Sequence, residues 1–166
     1  MQIRTITVLD VQSGDTKMTY NLPITNLTKN VGMNILLVKT NNSGNISTND
    51  IVDLNTTAIY NNTTNTIINS NNIVLSSGHY LIECCLGIAN SNSINNNAEW
   101  NILVDDVEQN TKGSSAQLGK VGVDGSVATV SFNGGSKTIK IKITSVSGTC
   151  SINNDYSYII IKQVDL

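Results

Sequence analysis

Every second residue of the stretch Thr138-Ile139-Lys140-Ile141-Lys142-Ile143-Thr144 is an isoleucine, and the residues between are lysine or threonine. Successive side chains of an extended strand leave opposite faces, so this order makes one face apolar and the other wet. A helix would spread the same isoleucines around its circumference. The pattern recurs. Tyr80, Ile82, Cys84, Leu86 and Ile88 alternate with His79, Leu81, Glu83, Cys85 and Gly87. Ala98, Trp100, Ile102 and Val104 alternate with Glu99, Asn101, Leu103 and Asp105, and Ala128, Val130 and Phe132 supply a fourth row. No helical period of comparable length competes with these rows, and turn-forming residues separate them. The chain is therefore predicted to be all-β, with two antiparallel sheets closing their apolar faces on each other.

Three segments add detail. Asn133-Gly134-Gly135-Ser136 separates residues 127–132 from 137–144. Its glycines can take φ > 0 in a tight connection, so the two flanking strands are predicted to form a hairpin. The last segment, Tyr156-Ser157-Tyr158-Ile159-Ile160-Ile161-Lys162-Gln163-Val164, carries apolar residues on both parities. Such a strand wants cover on both faces. The facing sheet gives one cover, and a second subunit is predicted to give the other. Pro23 demotes its surroundings from a central strand, so residues 1–32 are read as an N-terminal arm or small strand pair and residues 33–166 as the main domain. Residues 41–50, 61–72, 89–97, 109–119 and 145–154 are amide-rich and are predicted to be long loops at the ends of the sandwich.

Composition narrows the partners. Only 13% of the 166 residues are charged, about half the usual share, and polarity comes instead from 25 Asn together with Ser and Thr. The net charge is −2 and the nine Lys and single Arg4 are dispersed, which argues against nucleic acid, since neutralising phosphates needs a basic stripe. No apolar run approaches the length needed to span a bilayer, and the first residues lack a signal-peptide pattern. Export is not expected. The three cysteines, two of them adjacent, make a poor disulfide framework; they read as small buried hydrophobes.

The chemistry of catalysis is thin. His79 is the one histidine; with Ser76 and Ser77 nearby it could suggest a hydrolase, but no Gly-x-Ser-x-Gly elbow exists. No catalytic residue and no cofactor are predicted. Asp105, Asp106 and Glu108 form the one acidic cluster and are weak candidates for Ca²⁺, with Asp124 as a further ligand; a solvated turn is the plainer account. Transition metals would lack ligands, because one His and two adjacent Cys cannot supply a tetrahedral set. For carbohydrate the loops offer amides, with Tyr60 and Tyr156 as stacking platforms and Asn95 and Asn96 as polar partners. Trp100 shares parity with Ala98 and Ile102 and belongs to the core.

From about Asn34 onward the order of features resembles the trimeric jelly-roll heads of the C1q/TNF-like class, including those at the tips of phage fibres. The residues carrying the resemblance are Leu54-Asn55-Thr56-Thr57, then Leu75-Ser76-Ser77-Gly78-His79-Tyr80-Leu81-Ile82, Trp100-Asn101-Ile102-Leu103-Val104-Asp105-Asp106, Gly113-Ser114-Ser115-Ala116 and the closing strand Tyr158 to Val164. The resemblance covers roughly four-fifths of the chain, and it implies a two-sheet jelly roll closing as a homotrimer. Tyr158, Ile159, Ile160 and Ile161 are the interface residues it suggests. The function it implies is a non-enzymatic virion protein, a capsid decoration, head-fibre or tail-fibre head, assembled in the host cytoplasm. Residues 1–32 would bind other virion proteins and the loops a host surface glycan. A secreted lectin-like module is the alternative.

Overall fold

The computed structural model describes residues 3–9, 17–23, 34–63, 66–90, 96–115 and 121–164. The chain divides into two compact units, Met1–Gly32 and Met33–Leu166. In the first, strands β1 (Ile3–Leu9) and β2 (Lys17–Pro23) pair antiparallel, from Ile3 opposite Pro23 to Leu9 opposite Lys17.

The second unit holds β3 (Asn34–Lys39), β4 (Tyr60–Asn61), β5 (Ile67–Ile68), β6 (Ile73–Asn90), β7 (Asn97–Val104), β8 (Val107–Ser115), β9 (Val121–Ser147) and β10 (Cys150–Val164). One antiparallel hydrogen-bonded path runs β4-β3-β10-β6-β9-β7-β8, with β5 on β6. It becomes a two-sheet jelly roll because β6 and β9 change direction together. Their register breaks between Ser76 and Gly78 on β6, which face Ser136 and Phe132 on β9. Beyond the break the C-terminal part of β6 and the N-terminal part of β9 join β10 and β3 in a first sheet. The remaining part of β9 joins β7 and β8 in a second.

The break explains why the alternation does not run through. On β6 the buried residues are Ile73 and Leu75, then Tyr80, Ile82, Cys84, Leu86 and Ile88; on β9 they are Ser126, Ala128 and Val130, then Ile139, Ile141 and Ile143. Both strands therefore switch parity at the same level. The hairpin predicted for residues 127–132 and 137–144 is not present. Those residues belong to one strand, and Asn133-Gly134-Gly135 is the extra length of its bulge, with Gly134 and Gly135 at φ 78 and 73°. The glycines are needed for the left-handed backbone that was anticipated, but they turn a strand between sheets instead of reversing it. An aromatic pair closes the bend. Tyr80 stacks on Phe132 with ring centroids 6.1 Å apart, and the Tyr80 hydroxyl donates to the Ser76 carbonyl at 2.9 Å.

Inward side chains of both sheets meet in one core, including Leu36, Val38, Ile82, Leu86, Trp100, Ile102, Ile141, Ile159 and Ile161. Burying one such large side chain fully stabilises the fold by roughly 1.5–3 kcal/mol. Trp100 is fully buried, as its parity predicts. Its ring lies against Gly113 of β8, where an added Cβ would come within 2.2 Å of the indole.

Several segments predicted to be long loops are largely strand. Residues 109–115 lie in β8, and between β9 and β10 only Gly148 and Thr149 intervene. The segment 49–52 also extends a sheet. Where β6 leaves β9 at the Ile73/Ile139 pair, the amide of Val52 donates to Ile141 O at 2.9 Å, and Ile143 N donates to Asp50 O at 2.8 Å. Backbone groups that would otherwise be stranded are thereby paired.

Candidate functional site

The outer face of the first sheet is the feature that an isolated protomer leaves unexplained. Cross-strand register arranges it in rows. Leu37 lies opposite Ile160, Ile160 opposite Glu83, and Glu83 opposite Val127. The adjoining rows are Ile35, Lys162, Leu81 and Thr129 on one side, and Lys39, Tyr158, Cys85 and Gly125 on the other. Tyr60 of β4 extends the first row beyond Leu37. Ile35, Leu37, Leu81, Tyr158 and Ile160 are half-buried in the protomer, Tyr60 is exposed, and Val127 is 43% exposed.

Charge on this face is compensated at its centre. Lys162 Nζ meets both Glu83 carboxylate oxygens, at 2.9 and 3.1 Å. Beside it, Tyr158 pairs with Cys85 across the strands. Burial pushes the Cys85 thiol above its ordinary value, against a hydrogen bond from Tyr158 that pulls it down. The Tyr158 phenol is raised in turn, chiefly by its hydrogen bond with Cys85. Both groups are neutral at physiological pH, so the centre of the patch is apolar with one internal ion pair, and Lys39 stands at its edge.

The four proposed interface residues divide between the two faces of the first sheet. Tyr158 and Ile160 face outward, whereas Ile159 and Ile161 are buried in the protomer core. Four consecutive apolar positions hid the parity that separates them. Other apolar residues of the same outer face, namely Ile35, Leu37, Leu81 and Val127, were missed. The run Ile35-Leu36-Leu37-Val38 carried the same two-faced signal as the last strand.

The acidic cluster is explained by lysines. Asp105 and Asp106 are the two turn residues between β7 and β8, at φ 49 and 65°, the left-handed pair of a two-residue hairpin. Lys137 reaches Asp105 at 2.5 Å, Lys140 reaches Asp106 at 2.7 Å and Lys142 reaches Glu108 at 3.4 Å. The Lys137 ammonium and the Thr138 amide hold the Asp105 carboxyl below the usual carboxylate range. Asp124 instead accepts from Ser114 N and Gly125 N, at 3.1 and 2.7 Å. Among the described residues no three His, Cys, Asp or Glu side chains group as a metal site.

His79 sits on the outer face of β6 with Nδ1 2.7 Å from Ser131 Oγ, not beside Ser76 or Ser77. Among the described residues no carboxylate shares a hydrogen bond with this ring, so the acid–histidine–serine arrangement of a triad is not formed by them. All three cysteines are free thiols. Burial raises Cys84 far above its ordinary value and lifts Cys150 in the same direction.

The sugar candidates separate. Asn95 lies outside the described residues. Asn96 is buried and donates through Nδ2 to Thr149 O at 3.1 Å, which removes it from the loop tips where it was expected. Tyr60 and Tyr156 are both exposed. Tyr156 rides on an irregularity of β10 between Asn153 and Tyr158. Among the described residues no helix is long and apolar enough to cross a membrane.

No family model matches the chain, and no curated protein matches it. Solved structures do. Murine APRIL at pH 5.0 aligns with a TM-score of 0.60 at 11% identity, over 80% of this chain and 100% of that one. Eiger TNF from S. frugiperda aligns at 0.58 with 14% identity, over 80% and 93%. The globular domain of zebrafish complement 1qA protein aligns at 0.53 with 10% identity, over 78% and 94%. At such identities the likeness is one of architecture, and it establishes the C1q/TNF-like jelly-roll fold for this chain.

Proposed function

We propose that this chain is a non-enzymatic virion structural protein, a phage capsid decoration or fibre head, in which residues 33–166 form a homotrimeric head. Residues 1–32 attach the head to other virion proteins, and its outer loops adhere to host surface glycan. The observation that carries the assembly is the two-faced first sheet, whose outer rows combine Leu37, Ile160, Leu81 and Val127 around a closed ion pair. A threefold ring needs two different surfaces, one meeting the other on the next copy. The second surface is the edge where β8 approaches the N-terminal part of β9. There Thr111 Oγ1 of β8 donates to Val127 O, and Val107, at the start of β8, stands exposed. A low net charge and a coat of amides and hydroxyls suit a surface that works by adhesion.

Light scattering on the purified chain tests the assembly: the expected mass is three times the 17.8 kDa protomer. A stable monomer at micromolar concentration sinks it. Co-sedimentation with particles tests the attachment, and removal of residues 1–32 should abolish it while leaving the oligomer intact.

A further inference from the structure

We infer that the bulge of β10 around Tyr156 is a binding site for a neutral hexose, a statement that rests on the adhesion reading and names its ligand class. β10 pairs with β6 through Asn153 opposite Gly87 and resumes at Tyr158 opposite Cys85. The residues between them, Asn154 to Ser157, are pushed out of the ladder. Bulges of this kind re-aim side chains, and they concentrate beside functional sites.

The displaced loop is held from beneath. Ser157 is fully buried; its Oγ accepts from Gly87 N at 2.9 Å and donates to Asn153 O at 2.7 Å. Asn154 ties the loop to the segment after β3. Its Oδ1 accepts from Thr40 Oγ1 at 2.7 Å and Asn42 N at 3.1 Å, and its Nδ2 donates to Asn42 O at 2.9 Å. Asn153 Oδ1 takes the Asp155 amide at 3.0 Å, and Lys39 Nζ donates to Asp155 O at 3.3 Å. These bonds fix the loop before any ligand arrives, which lowers the ordering cost of binding.

What remains on the outside is different in kind. Tyr156 is 56% exposed. Neither its hydroxyl nor the Asp155 carboxylate shares a side-chain hydrogen bond among the described residues, and the exposed Asn41 follows Thr40, whose amide donates to Ser157 O at 3.4 Å. An aromatic ring offers a flat apolar body with a polar tip, the carboxylate accepts two hydroxyl protons, and the amide both donates and accepts. That set fits the apolar face and hydroxyl rim of a pyranose. The Asp155 carboxylate and the Lys39 ammonium on its carbonyl balance in charge, which suits an uncharged sugar.

The test uses the full-length trimer on immobilised glucose, galactose and N-acetylglucosamine conjugates, with sialic acid as the anionic comparison. The expected result is binding to at least one neutral conjugate, unchanged between 0.1 and 0.5 M salt because the ligand carries no charge, within the screening expected of an exposed site. Tyr156→Ala should weaken it at least tenfold with oligomer mass and thermal unfolding unchanged, and Tyr156→Phe should retain it within about threefold. A trimer that ignores all three neutral conjugates, prefers sialic acid, or binds equally well as Tyr156→Ala overturns the inference and leaves the trimer standing. Particles that carry the protein and fail to bind host cells instead defeat the adhesion reading on which the inference rests, and the inference with it.

Discussion

The two sheets of this molecule bury similar inner faces and treat their outer faces in opposite ways. Outside the second sheet, Lys137, Lys140 and Lys142 each meet an acid from the β7–β8 hairpin, Asp105, Asp106 and Glu108 in turn. Outside the first sheet, Leu37, Ile160, Leu81 and Val127 surround a single pair, Lys162 with Glu83. The first arrangement is finished within one chain and tolerates water. The second leaves apolar side chains open on one protomer, which the proposed trimer would cover. Exposed ion pairs contribute little to stability, so the ladder on the second sheet matters mainly because it keeps that face from sticking.

The contrast can be broken at several points. Ile160→Asp should weaken self-association at least a thousandfold, about 4 kcal/mol, read by sedimentation velocity across a dilution series. Lys140→Ala on the other sheet should leave association unchanged; dissociation of that variant would erase the distinction between the faces. Cys85 should be alkylated at least tenfold faster in Ile160→Asp than in the wild type, while Cys84 stays protected in both, because the first lies on the outer face of the first sheet and the second in the core. Gly113→Ala should lower stability by about 2–3 kcal/mol in urea, since a methyl group cannot share space with the Trp100 ring. Ser157→Ala should remove about 1–2 kcal/mol, leaving the Gly87 amide without its acceptor.

The smallest expected effect is at Asp105. Its lowered carboxyl pKa means that its contribution is present above the ordinary carboxylate value, about 3.9, and is lost as pH falls through the lower folded value. Asp105→Asn should therefore change stability by no more than about 0.5 kcal/mol at neutral pH. The difference between variant and wild type should vanish in strong acid; a constant difference down to pH 2 would assign it to the Thr138 hydrogen bond or to the turn.

The strands were legible wherever one face is polar. Ile139, Ile141 and Ile143, the row from Tyr80 to Ile88, and Trp100 are placed by alternation alone. Alternation fails where both parities are apolar, and for that reason Ile159 and Ile161 were grouped with Tyr158 and Ile160. It is equally silent at Asn133-Gly134-Gly135, where glycines with positive φ serve a reversal or a bulge alike. The choice is made by the partner strand, whose own irregularity at Ser76 and Gly78 lies some sixty residues earlier. Asn96 and the lysine ladder were obscured for the same reason. Each depends on a neighbour that only the completed sheet brings close.

Because β6 and β9 each cross from one sheet to the other at the same level, neither half of the sandwich owns a complete set of strands. Pulling one sheet apart strips the backbone of the other. Residues 33–166 should consequently melt as a single cooperative body, with Trp100 fluorescence and far-ultraviolet dichroism tracing one coincident curve. Such a body must also wait for its most distant segments to meet before it gains anything, and it will fold slowly for its size.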